Sequence, residues 1–541
     1  MTVPESTLPT LISPHNRALP LLTLTDLRIL ETQAAAALPQ HTLMSRAGKA
    51  AASYLQELIT RDTSIEKSKH KVWVVAGPGN NGGDALIVAA ELRRAGIAVD
   101  LCMPLEVKPD DARWALDTAR SAGVAITSTP PASLESYTWL VDGMFGIGLT
   151  RPLEGVFAAI ARQLSQRTKA KSRRGGVLAL DTPSGLDSDT GTVVGEKQDQ
   201  GGGRSENQND GAAVHATHTI TFIGAKPGLF TAQGRDLAGT VTVAPIGIDS
   251  TARTAVQLNA PALFADFLPP RDFATNKGTF GSLAVVGGDT GMCGAPILAS
   301  RAALYTGAGK VHVALLGDGA PPYDPPHPEL MLHAIDDLPL DKMDALAVGC
   351  GMGLRDIATR VMHDVLTLDV PKLFDADALN LISTDPSLAA EVTARGVQGD
   401  PCVLTPHPLE AARLLGTDAR GVQRDRLAAA RALAARFAAV VVLKGTGTVI
   451  AAPDGRVAIN PTGNAALATG GTGDVLGGII GALLAQHLPR YEAALAGVYL
   501  HGLAADTLSA QGHGPAGLTA GELAPMVRTL LNRMFYPATG G

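Results

Sequence analysis

Cysteine is scarce: the chain has four in 541 residues, Cys102, Cys293, Cys350 and Cys402, far apart and with no CxxC pair. That excludes a disulfide framework and a thiolate zinc site, and it fits a reducing cytoplasm. There is no surplus of positive charge. Forty-five Lys and Arg against 51 Asp and Glu leave −6, where a general nucleic-acid binder would show a basic domain. The one short basic run, Lys169 to Arg174, reads as a solvated turn. No apolar run is long enough to span a bilayer. The most apolar window, Val475 to Leu488, is short and interrupted by Gly477, Gly478 and Gly481. The opening MTVPESTLPTLISPHNR has neither a basic n-region nor an apolar h-region. No short-period repeat is present. These absences predict a cytoplasmic protein with no membrane and no nucleic-acid partner.

What is present is globular: 45% hydrophobic and 18% charged residues, in a length that predicts two to four domains. Two helices are expected over residues 25 to 60. Strands are expected at Lys71 to Ala76, Ala98 to Met103, Thr138 to Val141 and Val177 to Leu180, and later at THTITFIG and GTVTVAPIGID. Alternating strands and helices predict a parallel α/β sheet. The alternation restarts at Gly281 with GSLAVVGG and a helix over Gly294 to Thr306, and three helices close the chain. We place one domain at 20–250 and a second at 251–537. Gly195 to Ala212 lies in a Gly-, Gln- and Asn-rich stretch with little to bury, which predicts a flexible insertion. Shortening Glu196 to Asn209 is expected to leave function intact.

The chemistry concentrates in loops at strand ends, where ligands of open α/β sheets bind. Gly470-Gly471-Thr472-Gly473-Asp474 opens an apolar helix expected from Val475 to Leu484. Such a helix N-terminus offers free N–H groups to a phosphate, and Asp474 offers a general base beside it. Lys444, Gly445, Thr446, Gly447 and Thr448 end a strand upstream, and Asn464 precedes the glycines. In the first half, GPGNNGGDAL follows a strand, and Asp142 and Asp181 end two more, with Ser184 close behind. The oxygen-rich groups suit a nucleotide and a hard cation rather than zinc. The plainer alternative for GNNGGD is an Asn-Gly turn that caps its helix through Asp84. Asp375 and Asp377 at a strand end read as catalytic or, in the reading preferred, as caps of the next helix, His407 as a ligand or as a loop histidine, and Glu410 as a cap or as the organiser of magnesium-bound water.

GPGNNGGD, VDGMFGIGLTRPLEG and LDTPSGLDSDTG resemble the three signature loops of NAD(P)H-hydrate epimerase domains, which have a Rossmann-like three-layer fold. KGTFGSLAVVGG, GCGMG, DADALN, TPHPLEAARLLG, LKGTGT and GNAALATGGTGDVLGG resemble the ribokinase-like α/β fold of NAD(P)H-hydrate dehydratases. The fused order resembles the bifunctional NAD(P)H-hydrate repair enzyme family over about residues 20 to 537. The resemblance implies that NADH hydrate and NADPH hydrate are the substrates. The first domain would interconvert their R and S epimers. The second would dehydrate the S form, using ADP (or ATP) to convert the hydroxyl into a phosphate leaving group.

The same resemblance implies site roles. Asn80, Asn81, Gly82, Gly83, Asp84, Gly146, Ile147, Gly148, Leu149, Thr150, Arg151 and Pro152 would bind the dinucleotide. Asp181 would contact the substrate and move a proton. Asn81, Asp142 and Ser184 would hold a potassium ion. Ala295, Gly353, His407 and Asp474 would line the second site, with Asp474 catalytic. Lys444 to Thr448 and Gly473 would bind the nucleotide. Magnesium and a homo-oligomer are expected. Ala85 stands where relatives often carry Gly, a small residue for a small one. His407 stands where sugar kinases of the superfamily commonly carry Asn, which favours a dehydratase over the second reading, a kinase of a small alcohol with a regulatory first domain.

Overall fold

The computed structural model describes residues 11–169, 175–196, 211–250, 254–318 and 322–536. The basic run from 170 on and residues 197–210 of the expected insertion lie outside these. The described chain divides into two compact units, one running to Val256 and one from Gln257 that also takes in Asn16–Ala18.

In the first unit, Leu24–Ala37 and Thr42–Arg61 form the expected helices. The first is started by a capping box, with Asp26 N–H on Thr23 Oγ1 at 3.3 Å and Thr23 N–H on Asp26 Oδ2 at 2.9 Å. Seven strands make a wholly parallel sheet in the order Ala125–Thr127, Ala98–Cys102, Lys71–Ala76, Trp139–Gly143, Gly176–Leu180, His218–Phe222, Thr240–Ala244. Lys71–Ala76 and Trp139–Gly143 are buried along nearly their whole length, as strands covered on both faces are. The strand order reverses between these two, so the crevice at their carboxyl ends is the topological switch point. The helix after Lys71–Ala76 begins at Asn80, with Gly79 as its N-cap. Asp84 therefore lies inside the helix and is not its cap, which corrects the plainer reading of that loop.

The second unit carries a ten-stranded sheet. Its order runs Met331–Ala334, Lys310–Leu315, Ser282–Gly287, Ala345–Val348, Lys372–Phe374, Val403–Leu404 and Val440–Leu443, all parallel. Val449–Ala451 and Val457–Ile459 then add antiparallel, a departure from the uniform alternation expected. The connections on either side of Val449–Ala451 are too short for a crossover. The sheet ends at Val256–Leu258, where the division between the units falls. Helices Thr472–Ala485, Arg490–Ala510 and Ala520–Phe535 close the chain. The glycines that interrupt the apolar window are packing devices: a Cβ on Gly478 would lie 1.9 Å from the Ala299 carbonyl of helix Gly294–Thr306. The helix starts at Thr472 rather than Val475, so Asp474 sits in its first turn. Among the described residues no helix is long and apolar enough to cross a membrane.

Candidate functional site

At the switch point of the first unit, Asp142 is fully buried. Its Oδ2 accepts the Ser184 N–H at 2.8 Å, and its Oδ1 accepts the Ser184 hydroxyl at 2.6 Å and the Met144 N–H at 3.2 Å. Burial nevertheless pushes the Asp142 carboxyl up to about 6. Asp181, at the end of the neighbouring strand, has φ 66°. A non-glycine residue enters that region at a cost that marks functional sites. Its Oδ1 receives the Lys226 ammonium at 2.6 Å, and its Oδ2 the Ile147 N–H at 3.2 Å. Lys226 is 1% exposed and spends its other donors on Thr221 Oγ1 at 2.7 Å and Phe222 O at 2.8 Å.

A cavity of about 670 Å³ opens here. Of the expected binding residues, Asn80, Asn81, Asp84, Gly146 to Arg151 and Asp181 line it, whereas Gly82, Gly83 and Pro152 do not. Gly82 and Gly83 are buried in helix packing. A Cβ on Gly146 would lie 2.9 Å from Asp181 Oδ2 and 3.4 Å from Asn81 Cγ, so the amide and the carboxylate converge there. Asn81 is 8% exposed, and neither Oδ1 nor Nδ2 has a hydrogen-bond partner among the described residues. Burial, reinforced by the charges of Asp181, Glu31 and Asp111, pushes the Asp84 carboxyl well up. No cluster of three or more His, Cys, Asp or Glu among the described residues is arranged for a metal. An ion here would rest on a mixed oxygen set: Asn81 Oδ1, Asp142 and Ser184 Oγ.

Two contributors escaped the reading of the sequence. Lys226 follows a strand in THTITFIGAK, and a lysine beside so apolar a run was the available signal. Helix Leu24–Ala37 lays Leu24, Leu27, Arg28, Glu31 and Ala35 along the cavity at helical spacing, a face that the core-packing pattern did not distinguish.

In the second unit, Lys444 Nζ donates to Asp375 Oδ1 at 2.7 Å. Asp375 is 2% exposed, and helix Asp377–Thr384 has Ala376 as its N-cap. Asp375 is therefore not the cap of this helix, the preferred reading, and the other reading, a carboxylate facing the site, is the one its pairing with Lys444 favours. Asp377 accepts the Gly353 N–H at 2.9 Å and so ties the GCGMG loop to this helix. Gly471, at φ 87°, turns the chain into helix Thr472–Ala485. A Cβ on Gly473 would stand 3.6 Å from Lys444 Nζ and 3.9 Å from Asp375 Oδ2, so the helix N-terminus faces the ion pair. Burial raises the Asp474 carboxyl, a hydrogen bond with the Cys350 thiol opposes that, and the charges of Asp375 and Lys444 reach it from opposite signs.

His407 both caps and faces the site. Its Nδ1 accepts the N–H groups of Leu409 and Glu410 at 3.1 and 3.3 Å, and Glu410 Oε2 accepts the His407 N–H at 2.7 Å. Burial lowers the His407 imidazole and pushes the Glu410 carboxyl up to about 7, with the Lys444 and Asp375 charges reaching both. Ala295 stands in the first turn of helix Gly294–Thr306, 3.4 Å from where a Cβ on Gly351 would be. Arg426, 1% exposed, braces the Lys444 loop by donating to Leu443 O and Lys444 O at 3.1 Å each. Thr448 Oγ1 turns back to Gly445 O at 3.1 Å. Cys350, inside a quoted motif, and His501 were given no role by the sequence reading. Burial holds the His501 imidazole down at about 4, against a hydrogen bond to the Thr472 backbone.

Two α/β units, one with an acidic cavity at its switch point and one with a cation beside a glycine-opened helix N-terminus, define an enzyme with two sites. A family model described as YjeF-related protein N-terminus matches residues 40–228, and one described as NAD(P)H-hydrate dehydratase matches residues 283–527. The chain is 36% identical to the bifunctional NAD(P)H-hydrate repair enzyme Nnr of Escherichia coli over 520 residues, 94% of this chain and 93% of that protein. It is 50% identical to the ADP-dependent (S)-NAD(P)H-hydrate dehydratase of Neisseria meningitidis over 264 residues, 48% of this chain and 88% of that protein. A crystal structure of the ADP/ATP-dependent NAD(P)H-hydrate dehydratase from Bacillus subtilis, 34% identical, covers 50% of this chain and 95% of that chain with a TM-score of 0.44. The chain belongs to the bifunctional NAD(P)H-hydrate repair enzyme family.

Proposed function

We propose that this enzyme repairs hydrated NADH and NADPH in two steps, one in each unit. The first interconverts the R and S hydrates. The second dehydrates the S hydrate to NAD(P)H, converting ADP to AMP and phosphate. The observation that carries this reading is the match along 94% of the chain to a bifunctional repair enzyme, with the acidic groups of both sites in place.

In the first site, Asp181 is held against the cavity by Lys226 and moves the proton, while Asn80, Asn81, Asp84 and the Gly146 to Arg151 loop hold the dinucleotide. The unpartnered Asn81 oxygen, with Asp142 and Ser184, supports a potassium site, where the ion would offset the buried Asp142 charge. In the second site, Ala295, Gly353 and His407 line the hydrate pocket, and Lys444, the loop to Thr448 and the Gly473 amide hold the nucleotide. Asp474 takes the proton of the substrate hydroxyl as the phosphoryl group arrives, and Lys444 with the helix N-terminus offsets the charge that develops. Phosphate then leaves, and the ring double bond is restored. Glu410 is the residue that would help hold magnesium, which would supply screening of the nucleotide charge. The four dispersed cysteines support a cytoplasmic setting, and the family resemblance supports a homo-oligomer.

The test is paired. Purified protein is incubated with each hydrate epimer and with ADP or ATP, following R-to-S exchange and the return of reduced-nicotinamide absorbance. Asp142→Ala is expected to weaken exchange and to leave recovery from pure S hydrate near wild type. A stable phosphorylated product in place of NAD(P)H would replace repair with kinase chemistry.

A further inference from the structure

The roles assigned above leave Asp181 as the only proton-transfer group of the first site, yet inversion of a carbon requires chemistry on both of its faces. The geometry points to Glu31 as a second catalytic acid–base group of the epimerase, working across the cavity from Asp181. This rests on the epimerase reading above.

Helix Leu24–Ala37 is fixed where it meets the cavity. Its first amide, Leu24 N–H, donates to Asp189 Oδ1 at 2.8 Å, and Leu27 is fully buried. The Arg28 guanidinium lies 3.5 Å from where a Cβ on Gly148 would stand, so this helix face meets the loop expected to hold the dinucleotide. Glu31 follows one turn later on the same face and lines the cavity with Asp181, Lys226 and Asp84. Its side chain lines the cavity, and charged groups that line the same cavity act on it. Burial and then the Asp181 charge raise it, while Lys226 and Arg28 lower it. Asp181 is oriented by the Lys226 ammonium at 2.6 Å and the Ile147 N–H at 3.2 Å, which fixes a carboxylate oxygen at the cavity as a base needs, while the raised Glu31 carboxyl suits the acid. Two carboxyl groups that line one cavity in different surroundings can serve as an acid–base pair. Asn81 is an independent sign that a ligand completes this cavity. It lines the space, is 8% exposed and leaves Nδ2 unpartnered. A donor so placed fits a substrate oxygen, because buried polar groups are otherwise paired.

The step balances. Glu31 protonates the hydroxyl on the carbon next to the ring nitrogen. The C–O bond breaks, its electron pair leaves with water, and the nitrogen lone pair forms C=N. Water adds to the opposite face, the π pair returns to nitrogen, and Asp181 takes the proton released by the added water. Exchange with water returns the proton to Glu31. In the reverse direction the two carboxyl groups trade roles.

The experiment uses the full-length protein and hydrated NADH in ¹⁸O-labelled water. Wild type is expected to place one ¹⁸O at the inverted carbon per exchange. Glu31→Gln is expected to lose exchange and label incorporation together, with kcat down about a hundredfold or more, the usual loss for a missing acid–base group, and KM nearly unchanged. Glu31→Asp is expected to recover part of kcat. Glu31 lines the open cavity with its side chain still exposed to solvent, where such changes seldom disturb folding, and Glu31→Ala repeats the measurement independently. Exchange by Glu31→Gln within about threefold of wild type, or a loss confined to KM, overturns the proposal. Exchange without ¹⁸O incorporation in wild type overturns it as well. If wild type does not exceed the uncatalysed exchange, the epimerase reading itself fails, and this proposal with it; if Asp181→Asn exchanges as wild type does, that reading stands and the proposed acid–base pair is overturned.

Discussion

Lys444 and Asp375, 69 residues apart, meet at 2.7 Å at the carboxyl ends of the second sheet, with the first turn of helix Thr472–Ala485 beside them. The pair sets a cation beside the turn that carries Asp474, and the charges of both partners reach that carboxyl. It is also a largely buried pair, with the Asp375 side chain 2% and the Lys444 side chain 20% exposed. Removing one partner of such a pair costs about 3–5 kcal/mol. Lys444→Met is expected to destabilise the protein by about that amount in urea, and Lys444→Met with Asp375→Leu is expected to be less destabilised than Lys444→Met alone. A loss below about 1 kcal/mol for Lys444→Met would show that the pair is solvated as surface pairs are.

Asp474→Asn keeps the shape of the first turn and removes the proposed proton acceptor. Loss of a general base costs about a hundredfold to ten-thousandfold in rate. Dehydration of S hydrate should fall by that range, ADP affinity should hold or rise slightly, and R-to-S exchange should stay at the wild-type level. Near-normal recovery of NADH by the variant would remove Asp474 from the mechanism.

Gly473 separates stability from function. A Cβ there makes only ordinary contacts, the nearest being Lys444 Nζ at 3.6 Å. Gly473→Ala in this helical turn is expected to leave stability unchanged or to raise it by up to about 1 kcal/mol. The methyl group would occupy the space through which phosphate approaches the amides, so ADP affinity measured by calorimetry is expected to fall at least about tenfold, roughly 1.4 kcal/mol. Unchanged ADP affinity would move the nucleotide away from this turn.

His501 sets a pH limit on the second unit. Its imidazole is held at about 4, against 6.5 in an open chain, because burial penalises the cation. Between those values the unfolded chain binds a proton and the folded chain does not. Stability is therefore lost as pH falls from 6.5 towards 4 and is fully present above 6.5. The size is about 3 kcal/mol. Thermal melts at pH 7.5 and 4.5 should show wild type losing more stability than His501→Gln by roughly this amount. Parallel losses in the two proteins would mean that His501 protonates without resistance in the folded state.

Local pattern carried much of this protein into view. Apolar runs of strand length, helical periodicity and glycines before helices depend on neighbours within a few residues, so the strands from Lys71 and Val177, the helix over Gly294 to Thr306 and the loops at Asn80 and Gly470 could be read directly. The quoted motifs carried the family with them. Other features were settled only by distant segments. Lys226 meets Asp181 because their strands are parallel neighbours in the sheet, and no local spacing encodes that adjacency. Asp375 looked like a helix cap until Lys444 was placed beside it. Asp474 looked like a residue before a helix, because Gly471 and Thr472 are poor helix formers by propensity, yet the start of a helix is chosen by the packing of its apolar face. Glu31 sits on a helix whose period shows which face is apolar, while the cavity that its polar side borders exists only once the sheet has put Asp84, Gly146 and Asp181 around one space. Sequence alone determined the elements, the loops and the kinship. The tertiary structure decided which charges face one another, because burial and pairing depend on strand order, and strand order is a property of the whole chain.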